Sequence, residues 1–395
     1  QSTWGSVSHF SNMTNHFLRS VSFLASMAVV LMKTSPLPET ANFWHFPAVY
    51  NFGDSNSDTG GLSAAFGPTP TPNGQTFFHH PAGRYCDGRL IIDFIANKVG
   101  LRLLNAYLDS IGSNFTQGVN FATAGSTIRP QNTTLRESGF SPISLDVQWN
   151  QFHQFRNRSP IFHATGGVFA MLLPKPEDLS KSLFTFDIGQ NDLVSGYLSN
   201  MSTPQVRASV PDIVNQFKNI IKYIYGEGGR YFWIHNTGPF GCLAYVLERV
   251  AVLAPPLDDA GCSVPFNDVA RYFNSELKKM VESLRTKLPS AQLVYVDIYT
   301  VKYELTSRAK EYGFAENIKA CCGYGGKYNF NKDVGCGARE MKDGHEIVMA
   351  PPCSNPNEYI NWDGVHYTEA ANKWVFRRII DCQFCDPPLG FTSYL

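Results

Sequence analysis

The chain carries little charge, and neither sign is in excess. Charged residues make up 17% of its 395 residues, with 33 Lys and Arg against 33 Asp and Glu. No run of Lys or Arg stands out, so the basic surface on which nucleic-acid binding depends is missing. We therefore expect no nucleic-acid partner.

Long apolar runs are absent beyond the first forty residues. No later segment has the roughly eighteen uninterrupted apolar residues that a membrane-spanning helix needs. We therefore expect no stable membrane insertion of the mature protein. The chain also shows no internal repeat and no low-complexity linker, and its 43% hydrophobic content is ample for one large core.

The first forty residues have the pattern of a secretory signal. Arg19 precedes a mostly apolar stretch, 21–32, which is too short to span a bilayer and ends at Lys33. Met13 fits a translation start just before it. We interpret residues 1–43 as upstream residues plus a signal peptide, 44–385 as a single domain and 386–395 as a C-terminal tail. The alternative is an uncleaved amphipathic anchor.

Cysteine use agrees with secretion. The nine cysteines are Cys86, Cys242, Cys262, Cys321, Cys322, Cys336, Cys353, Cys382 and Cys385. The cluster between 321 and 353, which includes His345, also admits a zinc site, as does Cys382-x-x-Cys385. Disulfides are favoured over zinc in an oxidising compartment, so we expect no metal. The odd count leaves at least one thiol unpaired or intermolecular, and the pairing stays open.

Four Asn-x-Ser/Thr sequons follow the predicted signal. They predict N-glycans at Asn114, Asn132, Asn157 and Asn200. A fifth sequon, at Asn12, precedes the signal and is not counted. The sequons therefore predict a glycosylated surface in one part of the domain.

Five β-rich runs alternate with longer segments. The runs are 47–52, 118–122, 182–188, 230–235 and 292–298. Helical spacing of apolar residues marks 91–99, 210–225 (where Pro211 opens the pattern) and 267–288. Strands that alternate with helices predict an α/β fold with a mostly parallel sheet, in which ligands bind beyond the carboxyl ends of the strands.

The nucleophile elbow Gly-x-Ser-x-Gly of the common α/β-hydrolases is missing, which argues against that fold. Instead, Gly53-Asp54-Ser55 follows the first apolar run. Gly53 permits a tight turn there, and Ser55 lies where a nucleophile would stand at a strand end. The alternative is a helix cap, because Asp54, Ser55 and Asp58 are all capping residues.

Two further turns follow later β-rich runs. Gly125, in Ala-Gly-Ser after the second run, offers a backbone N–H to a developing oxyanion, and Asn191, after the third, offers a side-chain amide. Near the C-terminus, Asp363 precedes His366 by three residues, so its carboxylate can hold the imidazole that acts as a base. Each motif alone fits an ordinary turn or surface pair. Their combination predicts a serine hydrolase.

These residues resemble plant GDSL esterase/lipases of the SGNH hydrolase superfamily, in a branch similar to early-nodulin-like members and members that carry α-L-fucosidase labels. The resemblance runs from about Phe46 to Cys385 and includes the stretches 83–89 and 233–239. It departs at one position, where the name-giving Gly-Asp-Ser-Leu reads Gly-Asp-Ser-Asn.

The resemblance implies a three-layer α/β/α, flavodoxin-like fold with a central, mostly parallel sheet of five strands. It implies Ser55 as nucleophile, His366 as base and Asp363 as acid, with an oxyanion hole formed by Ser55, Gly125 and Asn191. No cofactor is implied. It also implies a secreted enzyme of the cell wall or apoplast, or a vacuolar one, that acts on a small-molecule or carbohydrate-linked ester.

We expect a carboxylic ester hydrolase that forms an acyl-enzyme at Ser55. One alternative is a glycosidase, which needs two carboxylates beside the bond, for which Asp54, Asp58 and Asp192 are candidates. A second is an acyltransferase that uses the same site, and a third is a non-enzymatic, lectin-like protein. His235, at the end of the fourth run, is interpreted as a structural histidine.

Overall fold

The computed structural model describes residues 45–130, 140–249 and 256–388. The predicted upstream and signal residues, 1–43, and the sequon at Asn132 lie outside these ranges. Within them, no helix has the length and apolar character that crossing a membrane requires.

The strands are short, and most of them lie where the sequence predicts. Their bounds are β1 (Val49–Gly53), β2 (Gly118–Asn120), β3 (Leu183–Asp187), β4 (Tyr231–His235), β5 (Gln292–Val296), β6 (Glu316–Ala320), β7 (Arg339–Lys342), β8 (His345–Val348), β9 (Tyr359–Asn361) and β10 (Cys385–Asp386). The first five coincide with the five predicted runs to within two residues at each end: β2–β5 lie within their runs, whereas β1 begins two residues later and ends one residue later than predicted. β6–β10 were not predicted.

Nine α-helices accompany these strands in the described part of the chain. Their bounds are α1 (Gly61–Phe66), α2 (Ile91–Lys98), α3 (Leu145–Thr165), α4 (Gln190–Leu198), α5 (Thr203–Gly226), α6 (Ala244–Arg249), α7 (Val264–Arg285), α8 (Ile298–Ser307) and α9 (Glu369–Ile379).

The central sheet has the strand order β2-β1-β3-β4-β5-β10. The first five strands run parallel, so the flavodoxin-like prediction is confirmed. A sixth strand, β10, adds two residues antiparallel to β5. The sheet thus extends to Asp386, one residue into the segment predicted as a tail.

Aromatic side chains fill the space beside the central strands. Phe52 of β1 stacks on Phe121 and Phe186, with ring centroids 5.3 and 5.1 Å away, and meets Phe152 of α3 edge-on. All four rings are almost fully buried. Offset and edge-to-face pairs add to the free energy of burying these large apolar surfaces. β1, which leads to the predicted nucleophile, is therefore fixed in the densest part of the core.

The helices form two packed groups that flank the sheet. α5 packs against α3, α4 and α7, whereas α9 packs against α2 and α8. The predicted three-layer α/β/α architecture is confirmed. Two additional small sheets, β6–β9 and the β7–β8 hairpin, lie outside the central sheet.

The predicted start of α5 at Pro211 is wrong. The helix begins at Thr203, because the Gln205 side chain accepts a hydrogen bond from the Ser202 N–H and Pro204 occupies the first turn, where no intrahelical donor is needed. Pro211 lies inside the helix. Likewise, α7 begins at Val264, three residues before the predicted boundary.

Eight of the nine cysteines form disulfides, which confirms that interpretation. The pairs are Cys242–Cys262, Cys321–Cys353, Cys322–Cys336 and Cys382–Cys385. Cys86 is a buried free thiol. The zinc alternative is wrong for the 321–353 cluster and for Cys382-x-x-Cys385, because in each the cysteine sulfurs are bonded to one another.

Candidate active site

The turn after β1 places Ser55 at the carboxyl edge of the sheet. The Asp54 N–H donates to the Asp187 carbonyl on β3, and Asp54 Oδ1 accepts hydrogen bonds from both the backbone N–H and the side-chain amide of Asn56, each at 2.9 Å. Gly53 is required because a Cβ there would lie 2.5 Å from the Asp187 carbonyl oxygen. Ser55 is thus carried on a rigid turn and is 8% exposed.

Asp58 takes the capping role that the sequence offered as an alternative for this segment, although the N-cap residue of α1 is Gly60, which has no side chain. Its Oδ1 accepts from the N–H groups of Gly60 and Gly61, and its Oδ2 accepts from Leu62 and Ala124. The carboxylate is fully buried and all its near donors are backbone groups. The segment therefore both caps the helix through Asp58 and carries the turn of the predicted nucleophile. Ser55 itself takes no part in the capping.

A buried amide that the sequence analysis missed clamps the end of β1. The Gln148 side chain of α3 is fully buried, donates to the Gly53 carbonyl at 2.8 Å and accepts from the Gly53 N–H at 3.0 Å. It gives the strand end the pairing that a neighbouring strand would otherwise supply. No local signal identifies it, because its partner is 95 residues away in the chain.

Two buried asparagines support the same turn from below. Asn51 Nδ2 donates to Asn120 Oδ1 at 2.8 Å, and Asn120 Nδ2 donates to the Ser57 carbonyl at 2.7 Å. Thr185 on β3 donates to Asn51 Oδ1. This satisfied network ties three strands to the nucleophile turn, and the sequence analysis did not anticipate it.

The predicted oxyanion donors lie around this turn. Among the described residues, no group accepts a hydrogen bond from the N–H of Ser55 or of Gly125. Gly125 has φ +79°, a conformation that glycine adopts readily. Both donors are therefore available to a ligand.

Asn191 reaches the same place from the first turn of α4. Its Nδ2 donates to the Ser126 carbonyl at 2.9 Å and approaches Asp54 Oδ2 at 3.4 Å. The first bond is of ordinary length, whereas the second is long and weak. The Asn191 amide is thus held mainly by the Ser126 carbonyl and only weakly by Asp54.

Asp363 and His366 form the predicted pair. Asp363 Oδ2 lies 2.7 Å from His366 Nδ1, and Asp363 Oδ1 accepts from the backbone N–H groups of Val365 and His366. Burial opposes ionisation of Asp363, but the charge and the hydrogen bond of His366 lower its pKa below the usual value. The carboxylate therefore stays ionised and keeps the proton of a neutral imidazole on Nδ1.

His366 Nε2 is buried and has no hydrogen-bond partner among the described residues. Ser55 Oγ and the imidazole are therefore not hydrogen-bonded in this structure, as is common before substrate binds. When it is protonated, the imidazole acts on the residue before Ser55, because its positive charge lowers the pKa of Asp54. The pair of Asp363 and His366 therefore lies close to the turn of Ser55, although the two are far apart in the chain.

Asp54 is an unusual carboxyl group. Burial and the nearby charge of Asp187 raise its pKa to about 7, although Asn56 and His366 act in the opposite direction. Asp187 itself is bound by His235 Nδ1 at 3.0 Å. Trp233 Nε1 donates to His235 Nε2 at 2.8 Å, so the interpretation of His235 as a structural histidine is confirmed.

The segment that carries His366 is held by the loop between Cys321 and Cys353, which contains two disulfides, and by the loop that contains Asn73. Cys321–Cys353 and Cys322–Cys336 enclose Phe330, whose ring leaves no room for a Cβ at Gly364. Trp362 Nε1 donates to Asn73 Oδ1 at 2.9 Å. The Tyr85 ring lies 5.5 Å from the imidazole. Of these aromatic side chains, Tyr85 is therefore the one in ring contact with His366.

Comparisons with known proteins agree with this arrangement. The profile of the family described as GDSL-like lipase/acylhydrolase matches residues 49–379. A GDSL esterase/lipase of Arabidopsis thaliana is 58% identical over 88% of this chain and 92% of its own length. The GDSL esterase/lipase ACHE of Zea mays is 56% identical over 88% and 89%, and the Alpha-L-fucosidase 3 of Arabidopsis thaliana is 55% identical over 90% and 96%.

The family profile covers most of the domain, and the relatives are more than half identical to this chain. Together they assign the chain to one family. The chain belongs to the GDSL-like lipase/acylhydrolase family and is a carboxylic ester hydrolase.

Proposed function

We propose that this protein is a secreted serine esterase that hydrolyses carboxylic esters through Ser55, His366 and Asp363. The observation that carries the proposal is the His366 imidazole, held at Nδ1 by Asp363 at 2.7 Å while its buried Nε2 has no partner. A base oriented on one nitrogen and open on the other is what activation of a serine requires.

The reaction follows from these positions. His366 Nε2 takes the proton of Ser55 Oγ as the oxygen attacks the ester carbonyl carbon. The tetrahedral oxyanion accepts hydrogen bonds from the N–H groups of Ser55 and Gly125 and from Asn191 Nδ2. His366 then protonates the leaving alcohol, and a water deprotonated by the same imidazole hydrolyses the acyl-enzyme.

A matched pair of serine variants tests the nucleophile. Ser55→Ala is expected to abolish hydrolysis of p-nitrophenyl acetate and labelling by an aryl phosphonate. Ser57→Ala removes a buried hydroxyl two residues away that makes no hydrogen bond within the described structure, and it is expected to keep both. A folded Ser55→Ala protein that hydrolyses the ester at the wild-type rate would refute the proposed nucleophile.

The relative named Alpha-L-fucosidase 3 makes a glycosidase the second candidate. Such an enzyme needs two carboxyl groups beside the bond. Of the three predicted candidates, Asp58 is occupied by four backbone donors, and Asp192 accepts from the N–H groups of Ile128 and Arg129. Asp54 alone remains of these three, so the geometry favours ester hydrolysis.

One purified sample distinguishes the two activities. Release of p-nitrophenol is measured from the acetate and from the α-L-fucoside, with and without the aryl phosphonate. We expect phosphonate-sensitive release from the acetate alone. Phosphonate-resistant release from the fucoside would favour a glycosidase. Adding an acceptor alcohol and analysing the products by mass tests the acyltransferase alternative, in which that alcohol replaces water.

Secretion and N-glycans are part of the proposal. Asn157 and Asn200 are exposed, and Asn114 is partly exposed, so these three sequons are open to modification. Four disulfides within the described ranges suit an oxidising compartment. Protein collected from the medium of plant cells should lose mass on enzymatic deglycosylation, and retention inside the cells without glycans would contradict this part.

A further inference from the structure

Tyr85 is an aromatic residue beside the proposed base that the proposed reaction does not use. Its ring centroid lies 5.5 Å from that of His366, and the two ring planes are tilted by 38°. The side chain is partly buried, and its hydroxyl has no hydrogen-bond partner among the described residues. Because the hydroxyl of a tyrosine in a packed environment usually finds a partner, this one is available to a ligand.

The residue before Tyr85 fixes the loop to the nucleophile side of the site. Arg84 is buried, and its Nη1 donates to the Thr59 carbonyl at 3.0 Å. Its Nη2 pairs with the fully buried carboxylate of Asp93 at 2.8 Å. Thr59 lies four residues after Ser55, so these bonds tie the backbone beside Tyr85 to the segment that follows the nucleophile.

The residues after Tyr85 fix the same loop to the base side. Asp87 Oδ1 accepts from the Glu369 N–H at 2.7 Å, and Arg89 Nη2 pairs with Glu369 Oε1 at 2.7 Å. Glu369 begins α9 three residues after His366. Tyr85 is therefore held on a loop that is bonded both to the segment after the nucleophile and to the helix after the base.

The contact with His366 indicates which part of an ester meets Tyr85. In the proposed mechanism His366 Nε2 protonates the leaving alcohol, whose oxygen must then lie within about 3 Å of that nitrogen. The carbonyl oxygen is instead directed to the oxyanion donors Gly125 and Asn191. A ring in contact with the imidazole therefore adjoins the alcohol part of the ester.

The phenol offers two kinds of contact to that part. Its ring presents an apolar face, and its hydroxyl can donate a hydrogen bond. Burial raises the pKa of Tyr85, and the charges of Asp58 and Asp363 act in the same direction, so the hydroxyl stays protonated. The alcohol that suits both contacts has a carbon ring or chain against the aromatic face and an oxygen acceptor close to the ester bond.

We propose that Tyr85 is a specificity-determining residue that contacts the alcohol part of the ester, with its ring against the carbon skeleton and its hydroxyl donating a hydrogen bond to a neighbouring oxygen. The favoured substrates are then esters of ring alcohols that carry further hydroxyl groups, as sugars do, over esters of plain cyclic alcohols. This inference rests on the proposed serine mechanism, because that mechanism places the leaving alcohol at His366.

A matched pair of acetates isolates this contact. Cyclohexyl acetate and its vicinal hydroxyl derivative share the acyl group and the ring, and they differ by one hydroxyl beside the ester. We expect the wild type to hydrolyse the hydroxyl derivative with a kcat/KM about 5- to 10-fold higher, which is what one neutral hydrogen bond supplies. Tyr85→Phe keeps the ring and should lose this preference, with kcat/KM for cyclohexyl acetate changed by less than about twofold.

Tyr223→Phe is the matched control. It removes the same hydroxyl from a half-exposed ring of α5 that contacts Trp149, and it should leave the preference between the two acetates unchanged. Tyr85→Phe should fold as the wild type does, because the hydroxyl that it removes has no partner within the described structure. A difference between the two variants therefore reports on contact with the substrate.

The outcomes separate this inference from the proposed function. A wild-type enzyme whose hydrolysis of p-nitrophenyl acetate does not depend on Ser55 refutes the proposed function itself. A Ser55-dependent enzyme that keeps its preference in Tyr85→Phe, or in which that variant loses equal activity on both cyclohexyl esters, refutes only the role of Tyr85. The same holds if the Ser55-dependent wild type hydrolyses both cyclohexyl esters equally well or hydrolyses neither.

Discussion

The clamp between Gln148 and Gly53 gives the sharpest link between the fold and the site. Gln148→Leu preserves the approximate volume of the side chain but removes both of its hydrogen bonds to Gly53. The Gly53 carbonyl keeps one donor, the Thr123 N–H at 3.2 Å, whereas the Gly53 N–H is left without an acceptor. A buried unpaired N–H costs about 1–3 kcal/mol, and the second lost bond costs about 1 kcal/mol.

We therefore expect Gln148→Leu to lower the free energy of unfolding by about 2–4 kcal/mol. Because Gly53 precedes the nucleophile by two residues, a displaced turn should also lower kcat by up to about 10²-fold. Urea unfolding followed by tryptophan fluorescence measures the first quantity, and p-nitrophenyl acetate hydrolysis in the absence of urea measures the second.

Gln154→Leu is the matched control. It makes the same substitution on an exposed position of α3 and should change the free energy of unfolding by less than about 0.5 kcal/mol. If Gln148→Leu is as stable and as active as this control, the clamp does not hold the nucleophile turn and the reasoning is wrong.

Two further predictions concern the catalytic groups themselves. Asn191→Ala removes one oxyanion donor and should lower kcat by about 10²–10³-fold, with little change in melting temperature, because the side chain is only half-buried; an unchanged kcat would remove Asn191 from the oxyanion hole. Asp363→Ala should cost less activity than Ser55→Ala, whereas Asp363→Asn should cost up to about 10⁴-fold, because an amide N–H facing His366 Nδ1 shifts the imidazole proton to Nε2. Steady-state kinetics at saturating ester test both, and an Asn variant as active as the Ala variant would contradict the tautomer argument.

The central strands could be predicted from the sequence because a parallel sheet is buried on both faces. Runs such as Leu183–Asp187 and Tyr231–His235 are continuously apolar or aromatic, with few polar interruptions, and the structure buries nearly every residue of them. The carboxyl ends of these strands also predicted where the site lies, because ligands bind beyond them in a parallel sheet. The prediction of five parallel strands therefore succeeded, and in the central sheet of the described residues only the two-residue β10 was beyond it.

The helix α3 could not be predicted because its pattern contradicts its packing. It buries Gln148 and Ser159, whereas Ile161 is 62% exposed, so apolar spacing does not mark its inner face. Gln148 is inside because it completes the hydrogen bonds of Gly53. Such a role depends on a partner far away in the chain, and no local pattern contains it.

The buried charges escaped prediction for the same reason. A lysine in a helix is ordinarily assigned to the surface, so Lys302 was not recognised as buried although it lies at helical spacing from the apolar Ile298 and Leu305. Three of the four motifs were visible because they follow β-rich runs, and the fourth, Asp363-x-x-His366, was visible by its own spacing near the C-terminus. What surrounds them became visible only when β1, β3 and α8 were placed in space.

The position of the base has a consequence for synthesis of the protein. The turn of Ser55 depends on strands and a helix from the first half of the chain, whereas His366 follows β9, and its turn is held by a loop that two disulfides close between 321 and 353. A growing chain that has already folded around β1 still lacks its base. In the proposed mechanism, activity therefore begins only after about 310 further residues have been translated and the late cysteines have been oxidised.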